Sequence, residues 1–243
     1  MLRTITFLGA SLAALLATGT ASAQQAPAFG EQGQFIISAD RLMPLFAYES
    51  YKVSTGGGGS ETTTSTSIAF VTHNPAFAPA IVEVYNVPRF AFDYTVWKHL
   101  TVGGSVWAAF QLGNSDTHSA PGQPDVTTDN AKVTFWGLAP RAGWILHLSD
   151  LFAFWPRGGF SFADIAVSQT RNGVDHTTTT TQWAINLEPM FALTPVPHAA
   201  ITAGPVVDIP IGGSVSDSAN GMSISNSQTL FHFGLTAGLL IWF

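Results

Sequence analysis

The chain has 243 residues, of which only 10% are charged, with a formal net charge of −6 and a mean hydropathy of +0.25. Soluble domains typically contain about 25% charged residues, and the acidic balance argues against a nucleic-acid-binding surface. No apolar run after residue 23 approaches the ~18 residues that a membrane helix needs. A chain with this apolar composition is therefore expected to cross lipid as a closed β-barrel.

The first 23 residues have the pattern of a secretory signal peptide. Arg3 supplies a positive charge, an apolar stretch runs from Phe7 to about Ala17, and Ala21-Ser22-Ala23 has the small-x-small form of a cleavage site. The apolar stretch is too short to span a membrane. The chain contains no Cys, so we expect neither a lipid-modified N-terminus nor disulfides.

Three short turns and four long loops divide the rest of the chain. The turns are Trp97–His99, His147–Leu151 and Thr194–His198. The loops are rich in Gly, Ser, Thr and Asn and cover 54–86, 113–130, 171–180 and 213–227. Bacterial barrels have short periplasmic turns and long extracellular loops. The alternation therefore predicts an all-β fold: a single closed, antiparallel, up-and-down transmembrane barrel of eight strands, with both termini in the periplasm.

The predicted domains are a signal peptide at 1–23, a periplasmic lead at 24–32 and the barrel at 33–243. The first long loop contains two strand-like segments, Ser65–Thr72 and Ala80–Tyr85, so a barrel of ten strands is the alternative. The eight predicted strands are 33–53, 87–96, 100–112, 131–146, 152–170, 181–193, 199–212 and 228–243.

Aromatic residues recur at matched distances from the predicted turns. Trp136 lies 13 residues before Ser149 and Phe162 lies 13 after it, while Trp144 lies closer to the turn. At ~3.3 Å per residue and a tilt near 40°, Trp136 and Trp144 are separated by roughly 20 Å of membrane depth. The spacing predicts two aromatic belts, formed by Tyr94, Phe110, Trp136, Trp144, Phe154, Phe162, Trp183, Phe191 and Phe231.

The same alternation assigns the charged residues to the barrel interior. An Arg on the lipid face near the midplane costs about 2–4 kcal/mol, and eight strands leave an interior just wide enough for side chains. We therefore expect a salt-bridged plug, with a charged conduit as the alternative. The predicted ionic network comprises Asp40, Arg41, Glu49, Arg89, Asp93, Arg141, Arg157, Glu188, Asp208 and His232.

Within that network, Arg141 and Arg157 are expected to be cross-strand neighbours if their turn centres on Ser149. Adjacent like charges are unfavourable, so at least two of the acids on strands two, six and seven should reach this pair. Those acids are Asp93, Glu188 and Asp208.

Two further expectations concern the backbone. Asp40 and Arg41 are consecutive, so both can face inward only if a β-bulge lies beside Arg41. Prolines also occur within the predicted strands, where they cannot donate to the ladder. We hypothesise a bulge at each proline, with a neighbouring Arg donating to the carbonyl left unpaired; the alternative is a simple kink. These prolines are Pro88, Pro140, Pro156, Pro189 and Pro205.

No catalytic or metal-binding constellation is evident. His118 has a neighbouring Ser but no acid to orient it, and no His/Asp set has ligand spacing on a shared face. We expect no enzyme activity, no cofactor and no metal site. His99, His147 and His198 lie in the turns, where we expect them to cap polar groups.

The last strand alternates strictly up to the terminal residue. Its odd positions from Phe231 to Phe243 are wholly apolar, whereas its even positions are mixed. This segment resembles the C-terminal signal of bacterial outer-membrane barrels, whose last residue is typically Phe. The resemblance implies the barrel-assembly machinery as a partner during biogenesis. The expected assembly signal comprises Phe233, Leu235, Leu239, Ile241, Trp242 and Phe243.

The whole pattern resembles the small bacterial outer-membrane β-barrel superfamily of OmpA/OmpX type, in particular a largely uncharacterised subfamily. The segments that carry the resemblance are GQFIISADRL, PRFAFDY, LAPRAGW, FWPRGGF, TPVPHAAITAGPVVD and GLLIWF. It implies an integral protein of the Gram-negative outer membrane, in contact with lipid and lipopolysaccharide. We expect a non-enzymatic structural or surface-interaction role through the extracellular loops, with no ligand specified. A narrow, porin-like channel is the first alternative, and a lipid-modifying enzyme is the second.

Overall fold

The computed structural model describes residues 28–54, 59–68, 85, 87–111, 115–118, 126–129, 131–171, 174–219 and 222–243. The predicted signal peptide, the start of the predicted lead and most of the strand-like segments at 65–72 and 80–85 lie outside the described residues. No helix in the described part of the chain has the length and hydropathy needed to cross a membrane.

Eight strands, numbered here β1 to β8, form the body of the molecule. They are β1 (Phe35–Ser54), β2 (Arg89–Trp97), β3 (Leu100–Gln111), β4 (Lys132–Trp144), β5 (Phe152–Arg171), β6 (Val174–Val196), β7 (Ala199–Ala219) and β8 (Met222–Trp242). Each pairs antiparallel with the next, and β8 pairs back onto β1, where Ile36 lies opposite Trp242. This last pairing closes the ring and confirms the predicted eight-stranded antiparallel barrel.

Among the described residues, four shorter strands lie outside the ring. Ser60–Ser67 pairs with the upper half of β1, Ser115–His118 pairs with Val126–Asp129, and Leu146–His147 pairs with β5. The described part of the first long loop therefore extends β1 as a hairpin and adds no strand to the ring. The eight-stranded prediction is correct and the ten-stranded alternative is not.

The strands differ in length around the ring. β1 and β5 to β8 contain 20 to 23 residues, whereas β2 to β4 contain 9 to 13. The long strands are consecutive around the ring, so they extend one side of the barrel at the loop end. The predicted loop 213–227 was wrong in this respect, because its Ser-rich residues pair across strands, whereas the β-branched Thr run within 171–180 extends β6.

Side-chain alternation separates two faces along every strand. On β4, Gly137, Ala139, Arg141 and Gly143 are buried, while the residues between them are exposed. The outer face of the barrel is apolar, the reverse of a soluble barrel. Its exposed residues include Phe92, Val102, Val106, Leu138, Phe160, Ile185, Leu187, Ile201, Leu235 and Leu239.

The interior has three layers, which β5 displays in order. Ala153 and Trp155 belong to an apolar cluster at the turn end, Arg157 belongs to the charged middle, and Ala163 and Ile165 belong to a second apolar cluster toward the loops. The sequence predicted the charged layer but neither apolar layer. The turn-end cluster comprises Phe29, Ile36, Ile145, Ala153, Trp155, Ala192, Ala200, Leu240 and Trp242. The loop-end cluster comprises Tyr85, Trp107, Phe135, Ala139, Ala163, Ile165, Ala184 and Leu230.

Register shifts lie beside Arg41 and at other points, including the stretches that contain Pro44 and Pro210, but not at the prolines named in the hypothesis. Arg41 has a φ of 53°, and the register between β1 and β8 shifts between Ala39 and Met43. Pro189 lies opposite Pro156, and Pro140 and Pro205 lie in ladders whose register does not shift across them. The hypothesis of a bulge at each of these four prolines is therefore wrong, and Pro88 precedes β2.

Candidate functional site: the charged interior of the barrel

The structure places all ten residues of the predicted ionic network inside the barrel. Each is at most 8% exposed, including the four arginines, so the network is withdrawn from solvent as well as from the outer face. The alternation of the strands brings nine of them inward directly. Arg41 is brought inward by the irregular turn of β1 beside it.

Arg41 links two carboxylates on neighbouring strands. Its guanidinium lies 2.7 Å from Glu188 Oε1 on β6 and 2.8 Å from Asp208 Oδ2 on β7. Nη1 also donates to the backbone carbonyl of Tyr85 at 2.7 Å. The Arg41 guanidinium thus donates to all three of these oxygens in charge-assisted hydrogen bonds.

Arg141 and Arg157 share a second set of carboxylates. Arg141 lies 2.5 Å from Asp40 and 2.6 Å from Asp93. Arg157 lies 2.9 Å from Glu188 and 3.3 Å from Asp40. Asp93 and Glu188 reach the pair as expected, whereas Asp208 bonds Arg41, and Asp40 supplies the link between the two arginines that sequence reasoning did not assign.

The arginine pair is diagonal rather than directly opposed. Arg141 lies opposite Gly159, and Arg157 lies opposite Gly143. The hairpin is centred one residue later than Ser149, which moves the two arginines apart by two positions. A Cβ on Gly159 would lie 2.1 Å from the Pro140 carbonyl oxygen and 3.0 Å from the Arg141 Cβ, so the facing glycine lets β4 and β5 approach closely beside Arg141.

His232 forms the loop-side end of the network. Its Nδ1 lies 2.7 Å from Asp208 Oδ2, and Asn186 Nδ2 also donates to Asp208. Glu49 lies opposite His232 in the β1–β8 ladder, and the ring of Tyr85 lies 5.5 Å from the imidazole. Tyr85 was predicted only as the end of a strand-like segment, and no periodic signal places it in the lumen.

Arg89 is held differently from the other three arginines. Its Cζ lies 4.0 Å from the centroid of the Trp107 ring, a cation–π contact. Among the described residues it forms no ion pair, and its Nε and Nη2 have no hydrogen-bond partner. Sequence reasoning grouped it with the paired arginines because its strand position is equivalent.

The network leaves almost no free space. The cavity beside it measures about 10 Å³ and is lined by residues that include Ser105, Arg141, Arg157, Asn186 and Glu188. One water molecule needs ~10–15 Å³ on this measure. This cavity therefore holds about one water molecule at most, which favours a packed charged layer.

Several of the predicted belt aromatics contact one another or neighbouring rings on the outer face. Phe162 lies 5.1 Å from Trp136 and 4.5 Å from Trp183, ring centre to ring centre. Nearer the turns, Phe154 lies 5.0 Å from Phe191. Tyr94 lies 4.9 Å from Phe35 in the row that reaches the C-terminus.

The residues of the expected assembly signal divide between the two faces. Trp242 faces inward and is 3% exposed. The other five lie on the outer face and are 40 to 59% exposed: Phe233, Leu235, Leu239, Ile241 and Phe243.

Known proteins offer structural rather than sequence similarity. No protein-family profile and no curated protein sequence matches the chain. Among solved structures, outer membrane protein AlkL is 11% identical, with 93% of this chain and 96% of that chain covered and a TM-score of 0.49. OprG from Pseudomonas aeruginosa is 13% identical, with coverages of 88% and 97% and a TM-score of 0.44. The outer membrane protease OmpT from Escherichia coli is 9% identical, with coverages of 90% and 99% and a TM-score of 0.42. All three are outer-membrane proteins.

Proposed function

We propose that this chain is an integral outer-membrane β-barrel protein with a sealed lumen and a non-enzymatic role exercised at its extracellular surface. The apolar outer face, with its rows of contacting aromatics, suits a lipid environment. The observation that carries the proposal is the packed ionic network, in which three arginines and four carboxylates neutralise one another inside the ring.

A solute passing through this layer would have to separate buried ion pairs. Leaving one partner of such a pair uncompensated costs about 3–5 kcal/mol. Arg41, Arg141 and Arg157 project from β1, β4 and β5, and their partners come from β1, β2, β6 and β7, so no single side chain acts as a gate. The arrangement supports a structural plug rather than a channel.

The extended side of the barrel provides the surface for external contacts. Hydrogen bonds order its polar side chains: Thr178 donates to Asp217 at 2.5 Å, Thr170 donates to Asp175 at 2.7 Å, and Ser216 donates to Ser225 at 3.0 Å. Strand Ser60–Ser67 lies at its margin and is almost fully exposed. An ordered polar sheet of this kind suits contact with a partner outside the cell better than a disordered loop would.

Conductance in planar lipid bilayers tests the sealed lumen. We expect no stable unitary conductance from the purified protein. The proposal would be refuted by unitary steps whose size changes in R141Q but not in F160A, because Phe160 lies on the outer face and Arg141 lies in the lumen. The paired variants separate conduction through this lumen from conduction by a contaminant.

Cysteine labelling tests which end of the barrel faces outward. Because the chain has no Cys, a single introduced thiol reports its own position. We expect S223C, at the loop end of β8, to react with a membrane-impermeant maleimide on intact cells. S149C, in the turn before β5, should react only after the outer membrane is permeabilised. The reverse pattern would contradict the proposed orientation.

A further inference from the structure

Residues 28–34 fold back into the turn end of the barrel. Phe29 is only 3% exposed because its ring lies between two tryptophans of the interior. Its centroid lies 5.6 Å from Trp155 on β5, in an edge-on arrangement, and 5.1 Å from Trp242 on β8. A side chain that precedes the first strand thus completes the apolar layer between β5 and β8.

Backbone hydrogen bonds fix this segment to the ring. Gly33 N donates to Thr95 O, and Thr95 N donates to Gln34 O, both at 2.9 Å, which continues the β1–β2 ladder beyond Phe35. His99 N donates to Gly30 O at 2.9 Å, which ties the segment to the turn between β2 and β3. The segment is therefore anchored to the barrel at several points.

Residues within the segment also determine its conformation. Gly30 and Gly33 have φ values of 93° and 90°, a conformation that residues with a Cβ rarely adopt. Gln34 is buried, and its side chain accepts from Gly30 N at 2.8 Å and donates to Ala28 O at 2.7 Å. Such a turn around an inserted aromatic ring is a defined structure and not a passive lead into β1.

We propose that residues 28–34 are a stopper that closes the periplasmic mouth of the barrel, with Phe29 as its inserted group. The stopper is separate from the ionic network: it seals the turn end, whereas the network seals the middle. Removing the Phe29 ring should open the turn-end layer to solutes while the network stays closed.

The lack of native Cys makes this opening measurable in the purified, detergent-folded protein, with no dependence on membrane orientation. Ala200 belongs to the turn-end cluster and is 4% exposed, so A200C reports on that layer. Ala184 belongs to the loop-end cluster and is fully buried, so A184C is the matched reporter. Both are treated with a charged methanethiosulfonate. We expect F29A to accelerate labelling of A200C by about tenfold or more and to leave A184C unchanged.

A second aromatic truncation controls for the loss of a ring at the same end. Phe191 lies in the outer-face row near the turns and is 49% exposed, so F191A should not accelerate labelling of A200C. Heat-dependent migration in gels verifies that each variant is folded. Should F29A fail to fold, Q34A loosens the same turn by removing its two side-chain bonds. The proposal is overturned if the folded variant labels A200C no faster than the parent, or if A184C accelerates equally.

Discussion

Arg141 illustrates how single residues make a charged interior compatible with a narrow barrel. Its guanidinium bonds Asp40 and Asp93, while the facing Gly159 lets β4 and β5 approach closely beside it. Such buried pairs are not strongly stabilising in sum, because desolvating the charges offsets their attraction. A variant that removes one partner of such a pair and leaves the other charge buried is therefore destabilised.

We predict that R141A destabilises the barrel by about 3–5 kcal/mol, because Asp93 loses its described ion pair and Asp40 keeps only Arg157. The measurement is the free energy of unfolding in urea, with the protein folded into lipid vesicles. R89A is the matched control. Because no described carboxylate pairs with Arg89, R89A should lower the free energy of unfolding by less than R141A does. Equal losses for the two variants would contradict the assignment of the network.

His99 allows a pH prediction outside the membrane-spanning part. Its burial in the turn, together with the positive charges of His147 and Lys98, lowers the pKa of His99 from its ordinary value near 6.5. Protonation is then easier in the unfolded chain than in the folded one. Stability should therefore be full at neutral pH, fall as pH drops through the unfolded value and reach its minimum below the lowered folded pKa.

The expected pH effect is small because His99 lies in a partly exposed turn, where solvent screens the neighbouring charges. The unfolding midpoint between pH 5 and 8 would measure it, with H99N as the control. His99 has a φ of 71°, a conformation that Asn tolerates, so H99N keeps the turn and removes the titrating ring. If H99N loses as much stability at acidic pH as the parent does, the pH dependence of stability belongs to another group.

At the scale of the element, alternation carried most of the information in the sequence. A period of two places side chains on one face or the other, which is why the inward positions of β4 could be assigned without a structure. Register is less well encoded, since a hairpin centre displaced by one residue moved Arg141 away from Arg157. The Ser-rich segment 213–227 was assigned to a loop because polar strands depend on cross-strand partners that composition does not reveal. Phe29 precedes the periodic part of the chain, and the strand-like segment that ends at Tyr85 was assigned no inward face, so neither insertion into the lumen was predicted.

Glycines on inward positions should be far less tolerant than glycines on the outer face. A Cβ on Gly137 would collide with the Trp107 ring that stacks on Arg89, whereas a Cβ on Gly158 would lie 3.6 Å from Leu187, an ordinary contact. We predict that G137V costs about 1–3 kcal/mol through overpacking and that G158V is close to neutral. Urea unfolding of the two variants measures this, and similar losses would mean that the faces are not distinguished by packing.

At the scale of the whole molecule, the barrel depends on joining its first strand to its last. Phe35 and Phe243 exchange two backbone hydrogen bonds, at 2.9 and 3.1 Å, and their rings lie 6.1 Å apart. Farther along, this seam contains the irregularity beside Arg41, so the ionic network and the closure of the ring involve the same strand pair. The interior layers are complete only when β8 is in place, because Trp242, His232 and Leu230 each contribute to a different layer.

We propose that Phe243 has two separable roles, as the final outward aromatic of an assembly signal and as the last backbone pair of the seam. Deleting Phe243 removes both, whereas F243A keeps the backbone pair and removes the ring. We predict that the deletion lowers the heat-modifiable folded fraction in cells and also slows refolding of the purified chain into lipid vesicles. F243A should lower the fraction in cells while refolding in vitro stays close to the parent, because no assembly machinery acts in vesicles. F233A, which removes an outward Phe from mid-strand, serves as the comparison. If F243A refolds as poorly in vesicles as the deletion does, the ring acts by packing on Phe35 and the signal interpretation loses its support; if neither variant affects assembly in cells, both roles are refuted.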